Sequence, residues 1–64
     1  MIAETMTVDQ TAEFLGVTSK TIYRMVRAKE IPHFRVRKRI FFRMEAIEKW
    51  IAAQEDAILH GASM

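Results

Sequence analysis

The chain has 64 residues, a net charge of +2 and no cysteine. A chain this short forms at most one domain, and the lack of cysteine excludes a disulfide framework and a thiolate metal site. The first residues do not have the pattern of a signal peptide, and no apolar run is long enough to span a bilayer. We therefore expect one cytoplasmic domain over residues 1–64, with no membrane association.

The charges are sorted along the chain. Nine basic residues and a single acid lie between residues 20 and 43, hence a net charge of +8, whereas residues 1–19 and residues 44–64 each carry −3. Surfaces without a charged partner usually mix both signs. This polarity favours a polyanionic partner, and a solvated basic face without a partner is the weaker alternative.

A first helix is predicted to begin at Val8. Thr7 and Gln10 stand at the two ends of a capping-box pattern, in which each side chain accepts a hydrogen bond from the other residue's backbone amide. Gly16 is suited to end the helix because it adopts left-handed dihedrals easily. The residues predicted to form its buried side are Val8, Thr11, Ala12 and Leu15.

A second helix is predicted after a tight turn at Gly16 and Val17. Thr18 can cap this helix, which runs from residue 19 to about residue 28. Ile31-Pro32 then prevents its continuation, because the residue before a proline disfavours helical dihedrals. Two short helices joined in this way form a helix-turn-helix. The predicted buried stripe consists of Ile22, Met25 and Val26.

The stretch FRVRKRIFFR, residues 34–43, contains four arginines and one lysine between apolar residues. It predicts a β-hairpin whose buried face consists of Phe34, Val36, Ile40 and Phe42. That face requires a three-residue connection at residues 37–39, because a two-residue loop would pair Val36 with Arg39. Arg35 and the connection then point outward, as a basic wing beside the helix-turn-helix.

A third helix is predicted over residues 45–60. Its apolar stripe extends to Ile58 and Leu59, beyond the part that two short helices and a hairpin can cover. These two residues are candidates for a protein contact, and disorder after about Gln54 is the alternative. The predicted fold is mainly α with a small β-hairpin, a winged helix-turn-helix with an additional C-terminal helix. The helix-turn-helix occupies residues 7–29, the wing residues 33–43 and the C-terminal helix residues 45–60.

The basic elements predict binding to double-stranded DNA, because each cation that neutralises a phosphate releases condensed counterions. On the second helix the candidate DNA-binding residues are Thr18, Ser19, Lys20, Thr21, Tyr23, Arg24 and Arg27. On the wing the candidates are Arg35, Arg37, Lys38 and Arg39. Capping is an equal alternative for the two threonines, and core packing is an alternative for Tyr23. Arg43 is equally suited to a phosphate and to an acid of the third helix.

Phe41 is predicted to face away from the core, unless the register differs locally. The two histidines are far apart in the chain, and no catalytic set or phosphate-binding glycine loop is present. We predict that the protein is not an enzyme and uses no metal, cofactor or small-molecule ligand.

Several short motifs of the chain match the sequence pattern of a known family. They are Leu15-Gly16-Val17, Ile31-Pro32, Phe34-Arg35-Val36, and Ile47 with Trp50. Residues 6 to 51 thereby resemble the excisionase-type winged-helix family related to MerR DNA-binding domains. The chain departs from the family at positions that often hold glycine, occupied here by Lys29 and by Arg37 and Lys38, and Ala46 stands where an aspartate is common.

The resemblance implies a small protein of a bacterial or phage-infected cell that is associated with the nucleoid. It would bind attachment-site DNA cooperatively, bend it, and direct a site-specific recombinase, an integrase, toward excision. Several copies would lie side by side, with a head-to-tail contact through Ile58 and Leu59. A small transcriptional regulator with the same DNA-binding surface is one alternative. A protein-interaction module such as an antirepressor is another.

Overall fold

The computed structural model describes residues 4–61. In chain order the elements are strand β1 (Thr5–Thr7), helix α1 (Val8–Leu15), helix α2 (Ser19–Arg27), strand β2 (Phe34–Val36), strand β3 (Arg39–Arg43) and helix α3 (Met44–Asp56). A π-helical segment, Ala57–Gly61, continues α3. The three helices and the small antiparallel sheet confirm the predicted fold class, a winged helix-turn-helix with an additional C-terminal helix.

Helix α1 begins at Val8 because the capping box forms in full. The Gln10 amide donates to Thr7 Oγ1 at 3.2 Å, and the Thr7 amide donates to Gln10 Oε1 at 3.0 Å. These two bonds satisfy backbone donors that the first turn of a helix otherwise leaves without partners. The predicted start of the helix is therefore confirmed.

Helices α1 and α2 end in turns of the same type. Gly16 after α1 has a φ of 76°, and Lys29 after α2 has a φ of 60°. In each turn the next residue's amide donates, at 2.9 Å, to the carbonyl five residues earlier, which is the bond of a Schellman motif. Helix α2 thus ends at this turn, before Pro32 is reached, although a lysine occupies the left-handed position.

The sheet contains a strand that the sequence did not indicate. Strand β1 pairs with β3, which lies at the centre of the antiparallel order β1-β3-β2. Met6 lies opposite Phe42, and both side chains are buried. The Met44 amide donates to the Glu4 carbonyl at 3.0 Å and so attaches the start of α3 to the chain before β1.

The predicted register of the wing is wrong. Only Arg37 and Lys38 separate β2 from β3, so Val36 pairs with Arg39 and Phe34 pairs with Phe41. Because paired residues share a face of the sheet, Phe34 and Val36 lie opposite to the core and are 39% and 53% exposed. The two-residue turn is formed although glycine is absent, with Arg37 at a φ of 59°.

The register gives the sheet two faces. On the inner face, toward the helices, lie Met6, Arg35, Ile40 and Phe42. On the outer face lie Thr5, Thr7, Phe34, Val36, Arg39, Phe41 and Arg43. Arg35 was predicted to point outward, but it lies on the inner face of the sheet. It is nevertheless exposed, because it is near the tip of the hairpin. Phe41 does face away from the core, as predicted.

The core lies between the inner face and the three helices. Its buried apolar residues are Met6, Val8, Ala12, Ile22, Val26, Ile31, Phe42 and Ile47. Leu15 and Met25 of the predicted stripes pack partly against it, as does Trp50. Thr11 is also fully buried, and its Oγ1 has no hydrogen-bond partner among the described residues.

Helix α3 leaves the core before it ends. Ile47 is fully buried, whereas Ile58 and Leu59 in the π-helical segment are 70% and 74% exposed. The chain stays helical here, and the apolar overhang expected from the sequence is present. No helix within residues 4–61 is long and apolar enough to cross a membrane.

Candidate nucleic-acid interface

Helix α2 separates its apolar and basic side chains onto opposite sides. Ile22 and Val26 are buried in the core. The exposed side carries a row that we call the basic stripe, formed by Lys20, Tyr23, Arg24 and Arg27. Residues with these spacings are neighbours along one side of a helix. Tyr23 is half exposed and lies outside the core, so the stripe is continuous over two turns.

The start of α2 is fixed by its threonines. Thr18 Oγ1 accepts from the Thr21 amide at 3.2 Å, and the two hydroxyl oxygens are 3.0 Å apart. The structure therefore shows the capping role of Thr18. Contact of either hydroxyl with a phosphate stays a prediction, and it is compatible with the cap because a helix start attracts anions.

Ser19 makes a contact that connects the two helices. Its Oγ donates to Asp9 Oδ1 in the first turn of α1, at 2.5 Å. From the sequence, Ser19 is predicted to be a DNA-binding residue, and a contact with Asp9 is not predicted. In the structure the hydroxyl proton of Ser19 is committed to Asp9, so toward DNA this oxygen can act only as an acceptor. The contact was not predicted from the sequence, because helical periodicity relates residues within one helix and not residues of two different helices.

The wing and α2 meet at an open cleft of about 260 Å³. The residues that line it are Thr7, Val8, Asp9, Tyr23, Lys38, Arg39 and Ile40. The cleft brings Tyr23 of the basic stripe next to two of the predicted wing cations. The other predicted residues of α2 and the wing do not line it, although Arg24, Arg27, Arg35 and Arg37 are all exposed.

Among the described residues, the cations of the interface have no acidic partner. Within residues 4–61, none of the basic residues of α2 or the wing forms an ion pair with an acid, and the same holds for Arg43. Lys49 and Glu45 form an exposed ion pair of 3.8 Å on α3, away from these elements. Arg39 differs from the other wing cations, because its guanidinium carbon lies 5.4 Å from the centre of the Phe41 ring. Cations that lack acidic partners remain available to phosphates.

The sequence of this helix-turn-helix matches a known protein family. The family model described as a helix-turn-helix domain matches residues 5–55. The chain belongs to this helix-turn-helix family. No curated protein and no solved structure gives a match. The matched region of the helix-turn-helix domain begins with β1 and includes nearly all of α3, but it ends before Ile58 and Leu59.

Membership supports DNA binding by this chain. Helix α2 is the second helix of the motif, the position that the recognition helix has in helix-turn-helix proteins. In a helix-turn-helix the second helix enters the major groove, and its exposed residues contact base edges. The basic stripe has the side chains that such contacts use, since arginine and lysine bind guanine and also phosphates. The predicted partner, DNA, is supported by the family.

Proposed function

We propose that this helix-turn-helix protein is an architectural DNA-binding protein of the excisionase type. It binds attachment-site DNA in a sequence-specific way, bends it, and directs a site-specific recombinase toward excision. The resemblance of residues 6 to 51 to excisionase-type domains supports this role. The structural observation that carries the DNA-binding part is the cleft where Tyr23 of the recognition helix meets Lys38 and Arg39 of the wing.

The two elements have different tasks in this proposal. Helix α2 lies in a major groove, with Arg24 and Arg27 directed to base edges or to the adjacent backbone. The wing lies on the neighbouring backbone or in the minor groove, where Arg35, Arg37 and Lys38 are attracted by the negative potential. The protein would then contact the DNA both in the major groove and at the neighbouring backbone or minor groove. Such contacts favour a bent duplex, because bending lets the DNA follow the surface of the protein.

The salt dependence of binding tests the electrostatic part. If roughly five cations contact phosphates, log affinity falls with log salt concentration at a slope of about −4 to −5. Fluorescence anisotropy with a labelled duplex, measured at several salt concentrations, gives this slope. A slope near zero would remove the proposed phosphate contacts.

A pair of variants separates base recognition from phosphate binding. We expect Arg24→Ala to weaken binding to sites selected from a random duplex library by about 1–3 kcal/mol, with little loss on random DNA. Lys38→Ala should weaken binding to both by a similar factor and make the salt slope less steep by about 1. Equal losses on both DNAs for both variants would contradict this division.

The excisionase role needs a separate test. The selected sites are placed at different positions in a DNA fragment, and a gel-mobility assay reports the bend. Excision is then measured with and without this protein, in the presence of a site-specific recombinase whose attachment sites contain the selected sequence. Position-dependent mobility and stimulated excision support the role. Selected sites that lie at promoters, with no effect on excision, would instead indicate the transcriptional regulator.

We also propose that copies bound side by side contact each other head to tail. The exposed Ile58 and Leu59 support this, since an apolar end at 70% and 74% exposure has no cover within the described chain. A head-to-tail contact repeats along DNA instead of closing into a dimer. Ile58→Asp combined with Leu59→Asp should abolish cooperative binding to DNA with several sites while leaving single-site affinity unchanged. Unchanged cooperativity would rule out this contact.

A further inference from the structure

We propose that the outer face of the sheet is a second nucleic-acid site, which binds an unpaired strand by base stacking. Its two central phenylalanines lie on the face of the sheet opposite to the core. It therefore goes beyond duplex recognition, and it does not depend on the excisionase role.

The centre of this face is a pair of stacked aromatic rings. Phe34 of β2 and Phe41 of β3 lie directly across from each other, with ring centres 5.9 Å apart and ring planes at 29°. On the same face, the Arg39 guanidinium covers part of Phe41. Phe41 thus contacts both a second ring and a guanidinium. Phe34 keeps 39% of its surface exposed, so part of this aromatic pair is accessible to a ligand.

A recess next to Phe34 extends the site. It has a volume of about 300 Å³ and is lined by Pro32, His33, Phe34, Arg43 and Ala46. The His33 ring is held in place, because its Nδ1 lies 2.9 Å from the Ile31 carbonyl oxygen. The recess is therefore bordered by two rings and a proline, with the Arg43 guanidinium as its charged group. These side chains suit a planar base attached to a phosphate.

Charge decides between the possible occupants. The outer face carries Arg39 and Arg43 and no acid, and Arg37 and Lys38 lie in the adjoining turn. An uncharged apolar protein surface would leave these cations without partners, whereas a nucleic acid supplies phosphates along with the stacking bases. Duplex DNA keeps its base faces inside the stack. The partner with accessible base faces and a phosphate backbone is a single strand.

The test compares two strands of equal charge. Fluorescence anisotropy measures binding of a labelled oligothymidylate and of an abasic strand with the same number of phosphates. Stacking predicts tighter binding of the oligothymidylate. Phe34→Leu, which removes the ring but keeps an apolar side chain at this exposed position, should weaken that binding by about 5- to 150-fold. Phe34→Trp should retain it, and circular dichroism checks that each variant is folded.

Two controls distinguish this site from the recognition helix and from a protein interface. Arg24→Ala, on the recognition helix, should impair binding to selected duplex sites and leave oligothymidylate binding unchanged, so the two surfaces can fail separately. Equal affinity for the abasic strand, or no effect of Phe34→Leu, would overturn the proposal. It would also be overturned if Phe34→Leu changed the sedimentation of the free protein from an oligomer to a monomer without affecting strand binding, because the face would then be a protein interface.

Discussion

The two faces of the small sheet carry similar residues but have opposite roles. On the inner face Phe42 is completely buried under the helices, together with Met6. On the outer face Phe34 and Phe41 cover each other and stay partly accessible. Apolar side chains on the wing therefore do not all belong to the core. The helices lie on one side only, so the same three strands support the fold on one side and display aromatic and basic groups on the other.

The largest difference between the faces should appear in phenylalanine substitutions. We expect Phe42→Ala to cost about 3–5 kcal/mol, because it opens a cavity in the centre of the core. A domain of this size has only about 3–5 kcal/mol of stability from its core, so this variant should be largely unfolded. Phe34→Ala should cost about 1 kcal/mol, mainly the ring pair with Phe41.

Urea denaturation followed by circular dichroism measures both losses. Phe42→Leu serves as a milder variant on the inner face, with an expected loss below about 1.5 kcal/mol. Similar losses for Phe42→Ala and Phe34→Ala would contradict the distinction between a covered face and an open one.

A buried hydroxyl sharpens the same comparison. Thr11 is fully buried, and its Oγ1 has no partner among the described residues. Replacement by valine keeps the shape and removes the cost of the unpaired group, so Thr11→Val should stabilise the protein by about 1–3 kcal/mol. Thr5→Val on the exposed outer face is the matched control and should change stability little. An equal gain in both variants would show that hydroxyl burial is not the cause.

The smallest expected effect on stability concerns the two-residue turn of the wing. This turn determines the strand register and therefore which residues lie on each face of the sheet. Arg37 has a left-handed backbone at a φ of 59°, where a side chain costs about 1 kcal/mol relative to glycine. Arg37→Gly should therefore stabilise the folded protein by up to about 1 kcal/mol. Lys38→Gly removes the same charge without relieving a left-handed residue, and it should give no gain. Thermal denaturation compares the two variants, and a gain for Lys38→Gly alone would contradict the assigned turn.

The helix-turn-helix could be predicted because its signals are local. Thr7 with Gln10, Gly16, and Thr18 each act within a few residues, and the apolar stripes of α1 and α2 have one helical interpretation. These elements also carry the basic stripe, so the exposed side of the recognition helix followed from the sequence. The Asp9–Ser19 contact did not, because it depends on how the two helices pack.

The wing register could not be derived from alternation alone. Placing Phe34, Val36, Ile40 and Phe42 on one face assumed that apolar residues seek the core, and this assumption selected the longer connection. The structure instead stacks Phe34 on Phe41, which gives outer-face apolar residues a partner of their own. Strand β1 was missed for another reason, since three residues with one buried side chain are too short for a period of two to be recognised.

The pairing of β1 with β3 has a consequence for how the protein forms during synthesis. Thr5 lies opposite Arg43, so the first strand cannot pair along its full length until the last residue of the central strand has left the ribosome. The two helices of residues 8–27 rely on contacts close in the chain and can assemble before that moment, whereas joining such distant segments is slower. A nascent chain halted after Val36 would therefore hold the helix pair with no ribbon beside it.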